Sequence, residues 1–326
     1  MDITMKIITA TLIMGTSLTY ATLGEIFTEK AGILNLGMEG IMLIGALSGF
    51  ATVFYTGNLL LGIIVSGLAG SVLALLHAFL SITMRANQIV SGLAITMFGT
   101  GLANFLGFII GPAPSHNMVG QNLPTFFHNV KIPLLSRIPV LGGFFNVSVL
   151  TYILYVLIPL SWFFMYRTKY GQELRAVGES PRTAASMGID VSKIRYLYTM
   201  IGGAMAGIGG ACLSLYHTPS WNKGMTGGKG WIVIALVIFS GWNPGRAVIG
   251  ILIFSGIIQL QFSIQAMNGT GFLLTVLKSI PSQFYGMAPY LITFLTLTIL
   301  TIISQAKNKP FSSPSALGTS FSIEDK

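Results

Sequence analysis

The residues best placed to do chemistry lie in one polar stretch. Ser180 and Pro181 open it and Gly188 closes it. A serine oxygen accepts the free N–H groups at a helix start, and proline suits the first helical position, where its missing N–H costs nothing. Glycine takes the left-handed conformation just past a helix end. The spacing therefore predicts a short helix over 181–187. Its face, Ala184, Ala185 and Ser186, is too small to bury much alone, so it suits docking into a groove on another protein. Arg175, Gly178 and Glu179 immediately precede it. The competing reading is an ordinary amphipathic loop lying at a membrane surface.

A second set of polar groups sits inside apolar runs. Glu39 follows Asn35 by four residues, which places both on one helix face. An ionisable group in lipid is costly and must face the bundle interior or a water-filled cavity. It is either the polar wall of a solute path or an interhelical hydrogen bond holding helices together. Asn87, Gln88, Asn104, Gln259 and Gln261 offer the same two readings. Asn104, Phe105, Trp231 and Trp242 have the amide and aromatic character that a sugar or base would need, although nothing in the sequence selects them.

Other chemistries lack their residues. No G-x-x-x-x-G-K-[ST] string is present, and the nearest, Gly227-Gly228-Lys229-Gly230, lacks both loop spacing and hydroxyl. The single cysteine, Cys212, allows no intramolecular disulfide. His77, His116, His128 and His217 are too scattered for metal spacing, so no metal site and no catalytic constellation is expected.

The elements that must position these residues are membrane helices. The chain has 326 residues, 52% hydrophobic and only 8% charged. A soluble domain carries about 25% charged residues. The apolar residues form runs long enough to cross a bilayer, without the alternation of barrel strands. The expected fold is an all-α polytopic membrane protein. Candidate spans are 5–24, 33–54, 59–83, 89–111, 148–166, 196–217, 230–242, 247–265 and 286–304. That gives about nine helices (roughly 8–10), the seventh being short enough for a half-helix or one arm of a broken pair. The first is read as retained, since no small-x-small cleavage site follows it. The net charge of +9 then orients helices rather than binding nucleic acid.

Placing 167–195 in the cytoplasm puts 12 of the 18 basic residues inside, with the N-terminus outside and the C-terminus cytoplasmic. The organisation expected is a transmembrane domain over 1–304, with an extracytoplasmic loop at 112–147 and the cytoplasmic segment 167–195, and a disordered cytoplasmic tail at 305–326. Small residues at every fourth position, Gly203, Gly207 and Ala211 beside Gly202, Ala206 and Gly210, predict close helix packing. Gly227, Gly228 and Gly230 are candidates for breaking a helix near a transport path.

The stretch GQELRAVGESPRTAASMGIDVSKIRY (171–196) resembles the cytoplasmic coupling segment of ABC importer permeases of the branched-chain amino-acid and ribose-type superfamily. GEIFTEKAGILNLGMEGIMLIGAL (24–47) is similar to the amino-terminal signature of the nucleoside and simple-sugar permeases within it, those linked to BMP-type receptors. RANQIVSGLAITMFGTGLANFLG (85–107), GGKGWIVIALVIFSGWNPGRAVIG (227–250) and the tail SPSALG (313–318) extend the likeness over most of the chain. Ser315, where alanine is expected, and Thr28 are slight departures.

The resemblance implies a transport subunit without enzymatic activity of its own, in a bacterial cytoplasmic (inner) membrane. It implies ATP and Mg held by a separate ATPase subunit that receives Arg175, Gly178, Glu179, Ser180, Pro181, Ala184, Ala185 and Gly188. Further partners implied are a second permease, commonly a paralogue, and an extracytoplasmic solute-binding lipoprotein. The implied solute is a nucleoside, with a ribose- or galactose-type sugar as the alternative. Asn35, Glu39, Asn87, Asn104 and Trp242 are the candidates for the translocation path. An ion-driven carrier is the rival class. It calls for several intramembrane carboxylates, whereas only Glu39 lies well inside an expected span, with Glu25 at an edge.

Overall fold

The computed structural model describes residues 3–110, 128–138, 141–266 and 313–322, with isolated positions between 279 and 302. Ten helices run in the order α1 Ile3–Lys30, α2 Met38–Thr56, α3 Leu59–Ala78, α4 Gln88–Ile110, α5 Val149–Arg167, α6 Lys169–Glu179, α7 Pro181–Ser186, α8 Val191–Cys212, α9 Lys229–Ser240 and α10 Pro244–Ala266. π-helical turns extend α3 to Thr83 and α8 to His217. Seven of the described helices are long and apolar enough to cross a membrane; α9, with 12 residues, is shorter.

The helix starts follow local chemistry. Asn58, Asn87, Ser148, Thr168, Ser180 and Asp190 each stand just before a helix, and their side-chain oxygens accept N–H groups of its first turn. Between 56 and 59, Gly57 at φ +65° ends α2 and allows the tight reversal into α3.

α8 is the hub. Its small residues let α1, α2 and α3 approach on different sides. A Cβ on Gly202 would overlap Thr28 and the Gly24 carbonyl, one on Gly210 the Met42 carbonyl, and one on Gly203 or Gly207 would strike α3 at Ala74 or Ser66. The two small-residue rows expected from the sequence are thus the contact surfaces, because in lipid close packing rather than hydrophobicity drives helix association. α1, α2 and α8 form the buried centre. α3, α4, α5 and α10 keep exposed apolar flanks, including Leu68, Val72, Met97, Phe105, Phe108, Val156 and Ile249. Such continuous apolar surface fits lipid or another subunit, not water.

α9 is a half-helix. Trp221 packs on Gly107 near the far end of α4, and the chain then returns into the bundle, so that Gly230 abuts the backbone of Met38 and Glu39. The return uses Gly227 and Gly228 at φ +54° and +84°, values open to glycine at no steric cost. At its other end α9 stops at Gly241, and a left-handed Trp242 (φ +55°) turns the chain into α10. The short seventh element is therefore one arm of a broken pair. The last expected span, 286–304, lies largely outside the described residues.

Four segments differ from the expectations or add to them. α1 runs to Lys30 rather than ending near 24, which places Glu25 and Glu29 inside a helix, both fully buried. The segment 167–195 holds two helices, because Thr168 caps α6 before Ser180 caps α7. In the 112–147 loop, residues 112–127, 139 and 140 are outside the described set. The described residues include a two-stranded ribbon, Val130–Lys131 with Asn146–Val147, and a 3-10 turn at Leu141–Phe145 packed on the start of α1. Finally, residues 313–322 of the expected disordered tail are packed. Their backbone groups find partners on the bundle, described below, and a bonded backbone need not stay in water.

Candidate functional site

Two regions carry the candidate residues: the α6–α7 end of the bundle, and the polar interior leading from it to α9.

α7 is six residues long. Ser180 Oγ accepts the Thr183 N–H at 3.4 Å, Pro181 occupies the first position, and Gly188 (φ +82°) terminates the turn, as the residue spacing predicts. The helix has two faces. Ala184 is buried against Val177 of α6 and Val191 of α8. Arg182, Thr183, Ser186 and Met187 project outward, Met187 being 78% exposed. Ala185 lies at the margin between the faces. Met187 is a single apolar side chain exposed at the tip of a capped helix, outside the small cluster that holds Ala184. Sequence reasoning passed over Met187. The signal was an apolar residue directly before the terminating Gly188 in a polar stretch. Beside α7 an open groove between α6 and the first turn of α8 is lined by Lys169, Gln172, Glu173, Ile189 and Lys193.

Of the other predicted coupling residues, Gly178 is buried and Arg175 half-buried on α6, while Glu179 is exposed at its end. The Arg175 guanidinium lies 5.2 Å from the centre of the Tyr166 ring, a cation–π contact. Gly178 sits so close to the Lys30 carbonyl at the end of α1 that a Cβ would overlap it. Glu179 Oε2 accepts from Ser315 Oγ at 2.9 Å. Asp190 caps α8 by accepting the Lys193 N–H at 3.0 Å, and its carboxylate lies 2.9 Å from the Lys193 ammonium. These hydrogen bonds hold its pKa below the ordinary carboxylate range.

The interior candidates separate. Glu39 on α2 receives two backbone N–H groups of the α9 start, Gly228 N on Oε1 at 2.8 Å and Gly230 N on Oε2 at 2.6 Å. α9 has no capping side chain of its own, and a carboxylate at the positive end of its dipole takes that place. Asn35 is fully buried; its Oδ1 accepts the Gly37 N–H at 2.9 Å, and its Nδ2 donates to Met38 Sδ at 3.6 Å. Trp242 donates its indole N–H to Glu29 Oε2. Asn87 is exposed and caps α4. Asn104 lies half-buried on α4, its Oδ1 buried without a hydrogen-bond partner. Asn35, Glu39 and Trp242 are thus linked to one buried region, whereas Asn87 is a helix cap at the bundle end.

Gln88, already a polar candidate in the sequence, joins this region together with two residues that sequence reasoning did not select, His77 and Arg195. His77 on α3 bridges Ser91 Oγ at 3.0 Å and the Leu34 carbonyl at 3.1 Å. Gln88 accepts the Leu34 N–H at 2.7 Å. Arg195, only 1% exposed, donates to the Thr319 carbonyl at 3.1 Å. Among the described residues no group of three or more His, Cys, Asp or Glu side chains is arranged to hold a metal ion.

A family model described as branched-chain amino acid transport system / permease component matches residues 7–303. The chain is 38% identical over 332 residues to TsgC13 of Haloferax volcanii, whose name assigns it to a glucose ABC transporter permease, with 98% of each chain covered. It is 36% identical over 301 residues to the guanosine ABC transporter permease NupQ of Bacillus subtilis, covering 90% of this chain and 91% of that one. To the nucleoside ABC transporter permease NupC of Lactococcus lactis it is 33% identical over 305 residues, covering 91% and 92%. No solved structure matches. With its apolar helices and a match over nearly its whole length, the chain belongs to the branched-chain amino acid transport system permease component family, and is a multi-pass membrane permease of the ABC type.

Proposed function

We propose that this permease forms the translocation path for nucleosides in an ATP-driven importer, with α7 seated in a cleft of a separate ATPase subunit that binds ATP and Mg. The observation that carries the reading is the two-faced α7. Its inner face is locked to the bundle through Ala184, and the preceding α6 through Gly178, while Met187, Arg182 and Ser186 stand exposed at the bundle end. A helix held rigidly on one side can pass on a push received from the other. The two-to-one bias of basic residues supports placing this end in the cytoplasm and the N-terminus outside, with about nine crossings once 286–304 is included. The exposed apolar flanks of α3, α4, α5 and α10 leave room for lipid and for a second permease, a paralogue on this reading. A solute-binding lipoprotein on the outer side delivers the solute.

The nucleoside assignment draws on the names of NupQ and NupC. A simple-sugar permease is the second reading, favoured by the 38% identity to TsgC13. Buried Glu25, Glu29 and Glu39 supply the carboxylates an ion-driven carrier would use, but Glu39 is already bonded to the α9 start and Glu29 to Trp242. Reconstitution decides among the three. The assembled complex in proteoliposomes takes up radiolabelled guanosine in preference to ribose, galactose or glucose, and only with ATP inside. Uptake that needs an ion gradient and proceeds without ATPase and ATP overturns the reading. Glucose preference selects the sugar alternative.

A further inference from the structure

The packed C-terminal segment connects parts of the molecule that are far apart in sequence. Ser315 donates its N–H and its hydroxyl to Glu179 Oε2, at 3.3 and 2.9 Å. Ala316 N–H donates to the Gly178 carbonyl at 2.9 Å, and Gly318 N–H to the Gly32 carbonyl at 3.2 Å. The Thr319 carbonyl then accepts from two buried side chains, Arg195 Nη1 at 3.1 Å and Gln88 Nε2 at 3.3 Å. Leu317 packs on the main core, and Phe321 on the small cluster of Val177, Ala184 and Val191 that holds α7.

Within a few residues the segment therefore touches the end of α6, the α1–α2 loop, the start of α4 and the first turn of α8. None of these contacts is needed to close a helix. Each joins α7's base to the elements that lead inward. Gln88 also holds Leu34, and the α1–α2 loop leads into α2, where Glu39 caps the half-helix α9. Arg195 adds a constraint. It is a buried cation with no carboxylate in salt-bridge range among the described residues, and it donates a hydrogen bond to the segment's Thr319 carbonyl. A buried guanidinium is costly unless bonded, which favours keeping the segment in place.

We infer that residues 314–321 form a strut that makes the α6–α7 unit and the α1–α2 loop move as one body, carrying ATPase closure from α7 to the capped start of α9. The inference rests on the reading of α7 as the ATPase contact.

Gly318 allows a local test. It sits at φ +78° with open space around it, so proline, fixed near –65°, cannot hold its turn, whereas asparagine tolerates it. In the assembled complex, Gly318→Pro is expected to insert, to retain the ATPase and to hydrolyse ATP within about twofold of the parent, while guanosine or glucose taken up per ATP falls about tenfold. Gly318→Asn is expected to behave as the parent, and a chain lacking 313–326 as Gly318→Pro. Unchanged solute per ATP in Gly318→Pro overturns the strut. So does loss of ATPase binding in both disrupted chains, which would make the segment an assembly clip. An Ala185→Glu arm, with the strut intact, separates the two readings. Normal transport there sinks the docking of α7, while uncoupling there with normal Gly318→Pro sinks only the strut.

Discussion

Glu39 Oε2 lies 2.6 Å from the backbone nitrogen of Gly230, so a carboxylate on α2 caps a helix that starts nearly two hundred residues later. This relationship fixes what both residues must be. The glycine has no room for a Cβ against the Glu39 backbone, and the glutamate neutralises the dipole of a helix that begins inside the bundle.

Glu39→Ala is expected to strand the N–H groups of Gly228 and Gly230. A buried donor left unpaired costs about 1–3 kcal/mol, so the loss should amount to about 2–5 kcal/mol and lower the unfolding midpoint in detergent by several degrees. Glu39→Gln keeps one acceptor oxygen and should retain about half of that stability. Parental melting of Glu39→Ala would refute the capping role.

Gly210→Ala and Gly101→Ala make a matched pair on two membrane helices. The first adds a methyl where the Met42 carbonyl stands, and the second meets nothing within 4 Å. Overpacking costs about 1–3 kcal/mol, so Gly210→Ala should reduce folded yield and melting temperature while Gly101→Ala leaves both unchanged. Equal behaviour of the two would remove α8 as the packing hub.

Substitutions on α7 should sort by face. Ala184→Glu buries a charge beside Val177 and Val191, and is expected to lower stability and assembly together. Ala185→Glu and Met187→Ser alter the outward side. They are expected to leave insertion intact, with uptake reduced about tenfold and ATP hydrolysis continuing. Parental uptake in both variants would count against α7 as the ATPase contact.

Asp190 gives the α8 cap a pH dependence of known sign. Its pKa is lowered in the folded protein by the Lys193 N–H and ammonium, so its contribution is complete above the unfolded carboxylate value and lost as pH falls through the folded one. Protection from hydrogen exchange in the first turn of α8, relative to an unstructured chain at the same pH, should fall below about pH 4. In Asp190→Asn, which still caps but does not titrate, that fall should vanish. An identical acid response in both proteins would place the dependence elsewhere.

Much of the fold was legible because its causes are local. Apolar length gave the spans. Ser180-Pro181 with Gly188 located α7. What escaped depends on distant partners. Glu29 looked like a residue beyond the first span until Trp242 and the full length of α1 enclosed it. The tail read as disordered because its own composition forms no element; its residues 313–322 are held by carbonyls and side chains on α6, the α1–α2 loop, α4 and α8.

The sequence by itself thus determined a helical membrane protein with a short capped helix outside its spans, since span length, capping and glycine spacing act within a turn or two of chain. Only the tertiary structure decided which face of α7 is free, that Glu39 serves the α9 start, and that residues 313–322 bind the α6–α7 end to the bundle. Those outcomes depend on backbone donors and acceptors left over after the helices form, and no local pattern says which distant group will satisfy them.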